Sequence, residues 1–65
     1  MAYVNRFVED ALVDMILRRY PKAEGFEDAT WYNGACEILF YPHPRAVEPY
    51  AAIFKNGSYY ILQEF

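Results

Sequence analysis

The dipeptide Asn-Gly occurs twice, at Asn33-Gly34 and Asn56-Gly57, and no other feature limits the fold of this chain so sharply. Both central residues of a type I′ turn take positive φ, which Asn and Gly tolerate best. Each pair is flanked by runs rich in aromatic and β-branched residues, as strands require. Residues 29–32 and 35–41 bracket the first pair, and residues 50–55 and 58–63 bracket the second. Two β-hairpins are therefore expected, spanning about 29–41 and about 50–64. Between them stand three prolines in eight residues, Pro42, Pro44 and Pro49, which forbid a central strand. That segment reads as an extended connector, with room for a short helical turn beginning at Pro44.

The turns also dictate register. A two-residue loop at 33–34 sets Tyr32 opposite Ala35, Trp31 opposite Cys36 and Ala29 opposite Ile38. Ala29, Trp31, Cys36, Ile38 and Phe40 then share the apolar face, expected to lie under a helix. Thr30, Tyr32, Glu37, Leu39 and Tyr41 share the other. In the second hairpin Phe54 pairs with Tyr59 and Ala52 with Ile61, and these four are placed inside. The alternate face, with Ala51, Ile53, Lys55, Ser58, Tyr60, Leu62 and Glu64, carries the polar members and is placed outside.

The helix is expected over about residues 3–20. Val4, Val8, Ala11, Leu12 and Met15 recur at three- and four-residue spacing and form one stripe, with Phe7 beside it and assigned to the core. Asn5, or a residue just before it, caps the start. Acidic residues early and Arg18 and Arg19 late suit the helix dipole. Pro21 ends the helix, because the residue before a proline is pushed out of the α region. Val13, Leu17 and Tyr20 form a second apolar strip, covered either by the following loop or by a partner. Residues 21–28 are a connection in which Gly25 permits a turn. The fold class is thus α+β: one N-terminal helix packed on an antiparallel four-stranded sheet made of two β-hairpins, in a single domain.

One helix covers one face of such a sheet. Tyr32, Leu39, Tyr41, Ile53, Tyr60 and Leu62 are therefore left on the other, a pattern that marks an interaction site. At 65 residues, 20% of them aromatic, the chain has bulk enough to exclude disorder. A single cysteine excludes a disulfide scaffold, and no run of residues reaches the length of a membrane span. No signal peptide is visible, so the cytoplasm, that of a host cell if the chain is phage-encoded, is the expected compartment.

No catalytic motif emerges, and an enzyme is not expected. Cys36 and His43 are the only conventional nucleophile and base, and Cys36 falls on a core-facing strand. One His and one Cys lack companions at metal-ligand spacing, and the three glycines are too scattered for a phosphate loop. Neither cofactor nor metal is expected. The net charge of −3 argues against direct nucleic-acid binding. It divides into two acidic clusters, Glu9/Asp10/Asp14 and Glu24/Glu27/Asp28, with the basic Arg18, Arg19 and Lys22 between them.

In size, charge and helix-plus-hairpins layout the chain resembles the phage-encoded anti-CRISPR proteins, which are commonly small, acidic and free of catalytic motifs. The resemblance implies an inhibitor that binds a Cas subunit and blocks access of target DNA or recruitment of a nuclease. Its binding surface would combine Glu9, Asp10, Asp14, Glu24, Glu27 and Asp28 with Tyr32, Tyr41 and Tyr60. Such a surface complements a basic groove, where matched charge speeds encounter. The alternative is a structural homodimer or interaction module that buries the free sheet face, or the final edge strand, against its own copy.

Overall fold

The computed structural model describes residues 5–63. The expected positions Val4 and Glu64, and the helix start at residue 3, lie outside them. Helix α1 runs Arg6–Arg19 and is followed by four strands, β1 (Thr30–Tyr32), β2 (Ala35–Phe40), β3 (Tyr50–Lys55) and β4 (Ser58–Leu62). The strands form one antiparallel sheet in the order β1-β2-β3-β4, with each strand beside its neighbour in sequence. The molecule is α+β, a helix packed on a four-stranded antiparallel sheet.

Both turns take the expected form. Asn33 and Gly34 have φ of 50° and 77°, and Asn56 and Gly57 have 52° and 77°. Registers follow as derived: Trp31 opposes Cys36, Phe54 opposes Tyr59, and Ala52 opposes Ile61. The first ladder stops at Thr30↔Glu37, one residue short of Ala29. The hairpins meet through β2 and β3, where Ile38 opposes Ala52 and Phe40 opposes Tyr50. In the connector Pro44 sits inside a single turn closed by the Ala46 N–H donating to the His43 carbonyl, 3.0 Å, and no helix forms there.

Asn5 caps the helix. Its side-chain oxygen accepts from the N–H groups of Phe7 (2.9 Å) and Val8 (3.3 Å), two of the donors a helix start leaves unmatched. Val8, Leu12 and Ile16 are the buried helix residues, four apart, and they pack on Cys36, Ile38, Phe40 and Ala52. Burying each such aliphatic chain contributes roughly 1.5–3 kcal/mol. At the C-terminal end Tyr20 lies 5.8 Å from the Phe40 ring and 5.5 Å, edge-on, from Tyr50. Phe26 stacks on Phe40 from the connection.

Five expectations are corrected. Phe7 is 87% exposed rather than core, because its side chain lies off the buried Val8–Leu12–Ile16 line. Ile16, absent from the expected stripe, is wholly buried. Val13 and Tyr20 belong to the core periphery rather than to a separate strip, while Leu17 stays exposed. Tyr59 lies on the helix side yet is 43% exposed, and Ala51, on the face taken as outside, has no exposure at all. Tyr59 is open because the helix packs on β2 and β3 and stops short of β4. Ala51 is shielded because it is small and sits between the larger Leu39 and Leu62 of the flanking strands.

Candidate functional site

Strand alternation divides the sheet into two faces. One lies under α1. The other carries Tyr32, Glu37, Leu39, Ile53, Lys55, Tyr60 and Leu62, and no second helix exists among the described residues to cover it. Thr30, Glu37, Ile53 and Tyr60 form one row across all four strands, and Leu39, Ala51 and Leu62 form the next. Tyr32 is 76% exposed, Leu62 41% and Tyr60 39%, while Leu39 and Ile53 are half-buried between them. An open hollow lined by Thr30, Tyr32, Ala35, Glu37 and Ile53 lies at the β1 side of this face.

The rim beside β2 is acidic. Glu24 and Tyr41 exchange backbone hydrogen bonds of 2.9 and 2.8 Å, so the 21–28 connection runs along the sheet as a continuation of the β1 edge. The Glu27 N–H donates to the Leu39 carbonyl at 2.9 Å. Glu24, directly opposite Tyr41, shares its face, and Glu24, Glu27 and Asp28 are all exposed. The Tyr41 ring is half-buried over Gly25, whose φ is +67° and where a Cβ would stand 2.8 Å from the ring Cδ2. Glycine is needed there for both reasons.

The other acidic cluster lies elsewhere. Glu9, Asp10 and Asp14 belong to α1, the layer on the opposite side of the sheet from Tyr32 and Tyr60. Glu9 accepts a 2.6 Å hydrogen bond from the Trp31 indole N–H. Asp14 pairs with Arg18 at 2.9 Å across one helical turn, with both side chains largely in water. Asp10 is exposed. Of the nine residues expected to form one surface, the fold places Tyr32, Tyr41, Tyr60 and Glu24 on the open face, with Glu27 and Asp28 exposed on the connection along its edge. The first cluster is set apart, and one of its members is already hydrogen-bonded within the molecule. Leu39, Ile53, Leu62 and Glu37 complete the face; strand parity identifies the first three, and Glu37 lies in phase with them.

Cys36 is buried beneath the helix. Burial pushes its thiol pKa up, and the negative charges of Glu9 and Glu37 push it the same way. His43 is exposed in the connector, where its Nδ1 accepts from the Arg45 N–H at 3.2 Å. A buried thiol held protonated is a poor nucleophile. Among the described residues no three or more His, Cys, Asp or Glu side chains cluster to hold a metal, and no helix is long and apolar enough to cross a membrane. No protein-family model, curated protein or solved structure matches the chain.

Proposed function

We propose that this chain is a protein-binding inhibitor that docks its open sheet face and acidic rim onto a partner with a basic surface. The Cas subunits, whose grooves hold nucleic acid, are the partner class that the resemblance to anti-CRISPR proteins suggests. The observation that carries the reading is the uncovered face itself. Exposed tyrosines beside aliphatic side chains, bordered by Glu24, Glu27 and Asp28, combine the anchors and the charge that protein interfaces use. No chemistry is required of the chain: it acts by occupying the partner's groove.

The test is titration of a purified Cas surveillance complex with the chain. Binding is expected to weaken with added salt. Reversal of Glu24, Glu27 and Asp28 to Lys should weaken it roughly tenfold or more, chiefly by slowing association. Replacing Tyr32 with Ala should instead speed dissociation. Absence of binding, or binding indifferent to both sets of changes, would overturn the reading.

A further inference from the structure

We propose that β4 pairs with β4 of a second copy of this chain, antiparallel and about a two-fold axis through Tyr60. The inference goes beyond the docking of the open face, since it uses the edge of the sheet.

The two edges of the sheet differ. On the β1 side, the ladder is three residues long, and the connection carrying Glu24, Glu27 and Asp28 continues the edge beyond it. Short, charged edges of that kind resist further pairing. On the other side β4 is a five-residue strand, Ser58–Leu62, without a charged residue or a proline. Among the described residues no strand lies outside it. The chain bears a net charge of −3, yet the β4 edge is neutral.

The direction of the backbone groups follows from the turn. In a two-residue hairpin the pair closing the loop, here Lys55↔Ser58, is hydrogen-bonded, and such pairs then alternate. Ser58, Tyr60 and Leu62 therefore bond to β3, while the N–H and C=O groups of Tyr59 and Ile61 point away from the sheet. The same alternation across β2 requires Leu39 and Tyr41 to bond away from β3, and both do: Leu39 accepts from Glu27, and Tyr41 exchanges bonds with Glu24.

A two-fold axis at Tyr60 matches those outward groups to their own copies. Tyr59 of one copy then exchanges both bonds with Ile61 of the other, twice by symmetry. Tyr60 faces its own copy in the intervening non-bonded pair, and Ser58 faces Leu62. Pleat phase is preserved, so the helix-side residues Tyr59 and Ile61 meet each other, as do the open-face residues. The pairing covers Tyr59, 43% exposed because α1 stops short of β4. No foreign strand is needed to complete this match, which is why a second copy is the occupant.

Sedimentation of the full chain over a range of concentrations tests this. A reversible monomer–dimer equilibrium is expected, strengthened by salt as the repulsion between like-charged copies is screened; salt weakens docking to a basic partner, so the two readings fail separately. Tyr60→Lys and Tyr60→Glu each set like charges opposite one another and should weaken dimerisation roughly tenfold or more, while their equimolar mixture should regain it. Tyr59→Pro removes one outward N–H per copy while sparing the bonds to β3, and should be monomeric. Circular dichroism identifies any variant that has lost its fold, and the others then decide. A wild-type chain that stays monomeric at the highest concentration reached overturns the proposal. So does dimerisation equal to wild type in both Tyr60 variants, or a mixture that fails to regain it.

Discussion

The bond between Trp31 and Glu9 joins the first turns of the helix to strand β1, with which the helix makes little other contact. Its acceptor is a carboxylate and its length is 2.6 Å, so it belongs among the stronger hydrogen bonds of the molecule. Both residues are half-buried, which trims its worth to about 1 kcal/mol. Glu9→Gln should lower unfolding free energy by about that amount in urea titrations, and the Trp31 fluorescence should shift as its indole loses a charged neighbour. Nothing in local sequence pattern connects these two residues, which are 22 positions apart. Glu9 looks like an ordinary solvated acid until the sheet is folded under it. Cys36 is a second residue whose setting has a measurable result. Its pKa is higher folded than unfolded, so the folded chain holds the thiol proton more tightly. The associated stability is fully present below the ordinary thiol pKa of about 8.5 and is lost as pH rises through the folded value. Unfolding free energy should therefore fall with alkaline pH, and Cys36→Ala should flatten that slope whatever it does to the neutral-pH value.

At the scale of elements, the three glycines, all of positive φ, separate conformation from packing. Gly34 has φ +77° with nothing near its missing Cβ, whereas Gly25 has φ +67° with the Tyr41 ring 2.8 Å away. Alanine at either position incurs a left-handed strain of about 1–2 kcal/mol. Gly25→Ala should lose more than Gly34→Ala, and a double-mutant cycle with Tyr41→Ala should recover the difference. Thermal unfolding of the four chains measures it. The hairpins were legible in the sequence because an Asn-Gly turn dictates register from residues that touch each other along the chain. The end of the helix was legible from Pro21 for a similar reason, while its start was narrowed only to Asn5 or a residue just before it. Its buried line was legible only at Val8 and Leu12, because Val13, Leu17 and Ile16 make the helix apolar on more than one side. Only the sheet beneath it selects Val8, Leu12 and Ile16.

For the whole molecule, what could not be read locally is coverage. Strand parity placed Tyr32, Tyr41 and Tyr60 on the face away from the helix. It could not say that α1 packs chiefly on β2 and β3, and so leaves Tyr59 open on the other face as well. Nor could it show that residues 24–28 extend the β1 edge and carry one acidic cluster alongside the tyrosines while the helix carries the other away. The neutral β4 edge and the acidic opposite edge give the molecule two unlike flanks. These two flanks are the ones used by the self-pairing and the docking proposed above.

The strand order has a consequence for how the chain reaches this state. Every strand lies beside its neighbour in sequence, joined by two-residue turns or by the single connector between β2 and β3. No crossover has to close before pairing begins, so loop-closure entropy is met in small increments. The main distant assembly step is the seating of Val8, Leu12 and Ile16 on a sheet whose strands are already adjacent along the chain. Mixed helix-and-sheet domains fold on timescales between those of helical bundles, about microseconds to milliseconds, and those of all-β domains, about milliseconds to seconds. Seating the helix on β2 and β3 leaves the β4 edge as open in the finished sheet as in the unfinished one.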